Sequence, residues 1–254
     1  MTFQTQAELH LDHTLRTGDH GPAVRRVQEW LCLQGQSTTI DGDFGEATRQ
    51  ALGRFQEGRD LPPTGEADPT TYEDLVDPLA SVLGAYPVPP ADRDLGNLTC
   101  LRALIHLDRR PREVGGENRG PWVRLYMGGR EGRPWKWCAG FACFILQQAC
   151  RDIGVTPPVQ PSFSCSELAA RAKRAGCFLS EASVARDRSL LAPGSLFLCR
   201  KRTGGYEHTG IVLEVHDAAM DTAEGNTTDG GVPNGYEAIR RVRGYPGRDF
   251  ILVR

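Results

Sequence analysis

A chain of 254 residues, 39% hydrophobic and 24% charged, is long enough for one large domain or two ordinary ones, and its composition excludes a disordered polymer. A formal net charge of −2 lacks the basic signature of a nucleic-acid binder. No apolar run reaches the roughly 18 residues that a membrane span needs, so no membrane partner is expected.

The charge is unevenly spread. Residues 1–78 hold 6 Lys+Arg and 14 Asp+Glu, a net of −8, whereas the remainder holds 24 and 18, a net of +6. This step places a domain boundary near residue 78. Residues 1–13 are polar and acidic, without the apolar core of a secretory signal. They read as a solvated tail, and His10, Asp12 and His13 within it as tail residues rather than a metal site.

Pro22 suits the first turn of a helix, and Val24, Val27, Trp30 and Leu31 recur at helical spacing behind it. Gly35 stops it. Asp41-Gly42-Asp43-Phe44-Gly45 is a tight loop. It lacks the later carboxylates of a calcium loop and has no lysine of a phosphate loop. Thr48, Ala51, Leu52 and Phe55 define a second helix, and Asp68-Pro69 opens a third through Tyr72 and Leu75. These elements predict a three-helix domain over residues 14–78. A proline-rich stretch, 79–97, reads as a linker. Residues 98–254 then form a second domain.

That domain begins with helices: one from Leu98 fading at Pro111, one over 121–127, an apolar one over 138–150, and an amphipathic one over 164–175 with Ser164 and Glu167 as a capping box. His106 reads as a partly buried residue of the first. Strands follow at 195–199, 208–215, 219–224, 238–242 and 250–253. Helices followed by antiparallel strands predict an α+β fold. The eight cysteines lie mostly in apolar patterns and contain no CxxC pair, so buried thiols are expected rather than disulfides or a zinc site.

Cys138 opens the apolar helix, where free N–H groups and the helix dipole favour a negative sulfur and an oxyanion beside it. His208 opens a strand with Gly210 and Val212 on its face, and Gly210 is expected to leave room for a helix against the sheet. Glu224 and Asn226, two residues apart on an extended segment, are both placed to orient the imidazole. Cys165 is the rival nucleophile because it too begins a helix, but it is expected to pack inward. His216 lies eight residues beyond His208, roughly 26 Å along a strand, and cannot serve the same site. Trp122, Trp135 and Trp137 could line a cleft, though core packing explains them as well.

The order Cys138, His208, Glu224/Asn226 is that of papain-like enzymes. With Glu113-x-Gly-Gly, Asn118-x-Gly-Pro, Trp137-Cys138-Ala139, Pro193-Gly194-Ser195-Leu196, His208-Thr-Gly-Ile-Val and Glu224-Gly-Asn226, residues 97–254 resemble the CHAP family, the cysteine/histidine-dependent amidohydrolases/peptidases of the NlpC/P60 group. The resemblance implies a papain-like domain with an antiparallel sheet, Cys138 as nucleophile, His208 as base, and cleavage of an amide bond in peptidoglycan. Some members bind calcium through acidic residues ahead of the cysteine. No such cluster is present, so no metal and no cofactor are expected.

Residues 14–78 resemble the peptidoglycan-binding domain 1 family through Gly18, Gly21, Val24, Val27-Gln28, Leu31, Gly35, Asp41-Gly42-x-Phe44-Gly45, Thr48, Ala51, Phe55-Gln56, Thr64-Gly65, Asp68 and Leu75. The candidate substrate contacts are Trp137 beside the nucleophile and Asp41, Gly42 and Phe44 in the wall-binding module. Together the resemblances imply a peptidoglycan hydrolase made in the cytoplasm and acting in the periplasm or wall of a target bacterium. Its partners would be peptidoglycan and, by route, a holin or a secretion apparatus with an immunity protein. The alternatives are a non-catalytic wall-binding scaffold and an acyl transferase using the same cysteine.

Overall fold

The computed structural model describes residues 3–89, 93–228 and 235–254. Pro90 of the expected linker lies outside the described residues, as do residues 91–92 and 229–234. Contacts divide the chain into two compact units, Met1–Gly84 with Arg112–Pro134, and Ala85–Pro111 with Trp135–Arg254. Among the described residues no helix is long and apolar enough to cross a membrane.

The first unit contains α1 (Phe3–Leu9), α2 (Pro22–Leu33), α3 (Glu46–Glu57), α4 (Pro69–Leu83) and α6 (Pro121–Tyr126). Helices α2, α3 and α4 are the three expected, with Val24, Val27, Leu31, Ala51, Leu52, Tyr72 and Leu75 fully buried. Asp68 caps α4 by accepting the Thr71 N–H at 2.7 Å. Two buried glutamines organise the loops in the same way. Gln28 donates to Asp41 Oδ1 and Thr48 Oγ1 and accepts from the Gly42 N–H. Gln56 donates to Thr64 Oγ1 and Thr71 Oγ1 and accepts from the Gly65 N–H. A glutamine side chain with both ends satisfied can replace the missing ladder of a loop.

Three features depart from the sequence expectation. Residues 3–9, read as tail, are helical, because Leu9 is buried and Tyr72 Oη donates to the Glu8 carbonyl at 3.0 Å. Helix α4 runs through Leu83 into the stretch read as linker, burying Leu79 and Val82. Residues 112–134, read as part of the second domain, belong to the first unit. They do so because Trp122 packs edge-on against Trp30, and because Arg124 binds Glu8 at 2.6 Å, Glu29 at 2.6 Å and Glu131 at 2.8 Å. Burial opposes the Arg124 charge, but the carboxylates outweigh it and raise its pKa.

The second unit is α+β. It contains α5 (Leu95–Asp108), α7 (Cys138–Ile153), α8 (Cys165–Arg174) and the short α9 (Glu181–Arg186), with β1 (Phe178–Leu179), β2 (Leu196–Arg200), β3 (Tyr206–Val215), β4 (Ala219–Thr227), β5 (Glu237–Gly244) and β6 (Arg248–Ile251). The strands form one sheet in the order β1-β6-β2-β3-β4-β5, antiparallel throughout. Phe197, Val212, Met220, Tyr245 and Phe250 make a core cluster on it with Val184 and Leu191. Helix α7 is buried along most of its length, as its apolar sequence requires. His106, expected to be partly buried, is fully so, bonded to Gln148 at 2.8 Å, and burial lowers its pKa to about 4.

Candidate active site

Two short glycine contacts set the site. A Cβ on Gly225 would lie 2.7 Å from both Phe141 Cβ and Trp137 Cζ3, so this glycine lets the start of α7 rest on β4. Gly210 was expected to have that role. Its own vacancy is filled instead by Phe197, the Ala223 carbonyl and the Glu224 side chain, so it seats the carboxylate and not the helix.

Cys138 is the first residue of α7, and the helix start carries no side-chain cap. Its first-turn N–H groups therefore have no intrahelical acceptor. His208 stands on β3, where its Nε2 lies 2.8 Å from Glu224 Oε2 on β4. With Nε2 so committed, Nδ1 is the nitrogen left to face the thiol. Glu224 is completely buried and fully bonded. Thr222 Oγ1 donates to its Oε1 at 2.7 Å, and Arg243 on β5 grips it with two bonds of 2.7 and 2.6 Å.

The segment after Glu224 is not regular strand. Asn226 has φ of 54° at a register shift between Glu224 and Thr227. The two residues therefore separate: Glu224 takes the imidazole, and Asn226 Oδ1 accepts the Trp137 N–H at 3.1 Å. The carboxylate orients the histidine, and the amide fixes the backbone one residue ahead of Cys138.

These contacts govern protonation. The Cys165 thiol and then His208 hold the Cys138 pKa well below that of a free thiol, against the opposing effect of burial. Burial opposes charge on His208 as well, but its bonds to Cys138 and Glu224 prevail and raise its pKa to about 9. Burial also disfavours the Glu224 carboxylate, and Arg243 and His208 more than offset that, lowering its pKa. By contrast, Cys143 and Cys150 are pushed by burial up to about 11. These directions favour a thiolate–imidazolium pair with a carboxylate and a guanidinium behind it.

The other sequence candidates fall elsewhere. Trp137 is fully buried, with its ring edge-on to Phe141, so it supports the first turn of α7 from within. Phe44 is 2% exposed and fills the interior of the first unit, and Gly42 is buried against Gln28; of that loop trio Asp41 alone is exposed. Cys165 does face inward: its sulfur lies 3.7 Å from that of Cys138. Arg243, Thr222 and the part played by Cys165 were missed. Among the described residues, the group with metal-ligand spacing is Glu214, His216 and Asp221, whose donor atoms lie within 4.8 Å of one another. It sits at the β3–β4 turn, and Arg240 already pairs with Asp221 at 2.9 Å.

Comparison with known proteins adds an independent line. No curated protein matches the chain. The solved N-terminal domain of SleB is 33% identical, with a TM-score of 0.26, over 27% of this chain and 94% of that one. A peptidoglycan-binding protein from Clostridioides difficile is 34% identical, with a TM-score of 0.24, over 24% of this chain and 39% of that one. The endolysin of Burkholderia phage AP3 is 32% identical, with a TM-score of 0.25, over 36% of each chain. The present chain thus spans well under half of the last two. Residues 20–75 match the family model described as "Putative peptidoglycan binding domain".

Proposed function

We propose that the protein is a peptidoglycan hydrolase whose second unit is a papain-like cysteine amidohydrolase of the CHAP type. The observation that carries this reading is the continuous chain Cys138, His208, Glu224, Arg243, in which each member fixes the charge of the next. A bare buried thiol would stay protonated, as burial favours for Cys143, whose pKa it pushes up to about 11.

In this reading the Cys138 thiolate attacks the carbonyl carbon of a substrate amide. The uncapped N–H groups at the start of α7 stabilise the oxyanion. His208 passes its proton to the leaving amine, whose C–N bond breaks, and a thioester remains on Cys138. Water then attacks the thioester with its proton going to His208, releasing the carboxylic acid and restoring the pair. Glu224 holds the imidazole throughout without taking the proton.

Peptidoglycan as substrate is supported by the match over residues 20–75. The bond is either the glycan–peptide amide or a peptide bond within the stem. Delivery as a phage-type lysin would need a holin. Delivery as an antibacterial effector would need a secretion apparatus and an immunity protein, and neighbouring genes separate the two routes. The reading is tested by digesting purified peptidoglycan with wild type and with Cys138→Ala and weighing the soluble fragments. New amine-bearing fragments from the wild type alone are expected, and their masses name the bond. Wall binding by both proteins without release from either would favour a scaffold.

A further inference from the structure

We propose that Cys138 and Cys165 are a redox-modification site that closes to a reversible intramolecular disulfide and blocks attack by Cys138. Each cysteine is the first residue of its helix, α7 and α8, and the two sulfurs face each other at 3.7 Å. Both are free thiols, and both are buried, at 4% and 7% exposure. Other thiols are turned toward main-chain carbonyls instead: Cys143 to Ser162, Cys177 to Pro158, Cys100 to Val212 and Cys32 to Thr38. A disulfide needs the sulfurs at about 2.05 Å, so the pair must close by under about 2 Å.

The chemistry needs a two-electron oxidant, and a hydroperoxide supplies it. The Cys138 thiolate attacks one peroxide oxygen, the O–O bond breaks, hydroxide leaves, and Cys138 becomes a sulfenic acid. The Cys165 sulfur then attacks the Cys138 sulfur. The sulfenic hydroxyl leaves with the Cys165 proton as water, and the S–S bond forms. A thiol reductant reverses this by exchange, taking the disulfide into itself and returning two thiols. A reactive thiolate beside a second thiol is the arrangement that diverts a sulfenic acid from irreversible over-oxidation. With the thiols free, Glu224 and Arg243 hold His208 at this site, so reduction returns Cys138 to a held imidazole.

Formation of the disulfide rests on the facing sulfurs and the thiolate, not on the hydrolase reading; its consequence for activity rests on that reading. The test treats reduced full-length protein with a few equivalents of hydrogen peroxide, followed by intact mass and peptide mapping. Cleavage after Phe141 separates Cys138 from Cys143 and Cys150. The expected result is a loss of about 2 Da, a Cys138–Cys165 cross-link, and loss of peptidoglycan release by tenfold or more, all restored by dithiothreitol. In Cys165→Ser and Cys165→Ala, Cys138 should instead gain about 32 Da as sulfinic acid that dithiothreitol does not remove. Over-oxidation of Cys138 in the wild type without a cross-link, or a cross-link joining Cys165 to Cys143 or Cys199, overturns the proposal. A Cys138–Cys165 cross-link in a protein that never releases fragments sustains the disulfide and overturns the hydrolase reading.

Discussion

Glu224 shows how one side chain decides the state of another. Its two oxygens serve His208, Thr222 and Arg243, and all of its surface is buried. Glu224→Gln keeps the shape and removes the charge. The alkaline limb of kcat/KM, set by His208 at about 9, should then move down toward the ordinary histidine value near 6.5, and kcat should fall on the order of tenfold or more. A pH–rate profile checks both. An unmoved limb would mean that Glu224 does not act on the imidazole. Stability has its own sign. The Glu224 pKa is depressed in the fold, so its contribution is present above the unfolded value of 4.5 and is lost as pH falls below it. The His208 pKa is raised, so its contribution is full below 6.5 and is lost as pH rises through about 9. Acid and alkaline unfolding should therefore both be shallower in Glu224→Gln. Cys138, His208 and Glu224, which the structure brings together, stood out in the sequence because each lies near the start of an element or in a short motif. Arg243 did not. Its Cα lies opposite Met220, and it reaches Glu224 diagonally across the sheet, a relation set by strand register that spacing does not reveal.

Elements meet at the site through their irregularities. The bulge at Asn226 turns one motif into two functions, with Glu224 directed to the imidazole and Asn226 to the Trp137 N–H. A regular strand would have pointed both residues one way, which is why the sequence left their roles open. Asn226→Ala removes the acceptor from a buried N–H and places alanine at φ 54°, so a loss of about 1–3 kcal/mol is expected from urea midpoints. Gly225→Ala drives a methyl into Phe141 and Trp137 and should cost about 1–3 kcal/mol, with kcat falling as the start of α7 shifts. If Gly225→Ala matched the wild type in both stability and kcat, the helix would not rest on β4 as described. The core helices were readable from their period. The short β1 was not, because its two residues carry no period of their own and pair with β6.

At the scale of the molecule, the division of the chain is discontinuous. Residues 112–134 are parted in sequence from the rest of their unit, which holds them through Trp122 against Trp30 and Arg124 among three carboxylates. The charge step near residue 78 falls inside α4, short of Gly84 where the first run of chain ends, and composition carries no trace of a segment that returns. A chain starting at residue 85 should therefore be more than a lost binding module. It takes Trp30 from Trp122 and both Glu8 and Glu29 from Arg124, and should melt lower and bind a hydrophobic dye. An unchanged melting temperature and no dye binding would show that the returning segment folds without its unit. Arg124→Met tests the same point within the full chain. It leaves the fully buried Glu29 with Arg25 as its remaining guanidinium partner and should cost about 1–3 kcal/mol in a denaturant titration.

The central claim is that Cys138 is the nucleophile of an acyl-transfer reaction on peptidoglycan, and single-turnover trapping tests it most directly. Soluble peptidoglycan fragments are mixed with excess protein, quenched in acid within the first turnover, and the peptide beginning at Trp137 is weighed. The account predicts a thioester on Cys138 whose mass equals the fragment less its leaving amine, absent from Cys138→Ala and lengthened in lifetime by Glu224→Gln. Fragment release by Cys138→Ala at the wild-type rate, or an adduct on any other residue, would contradict it.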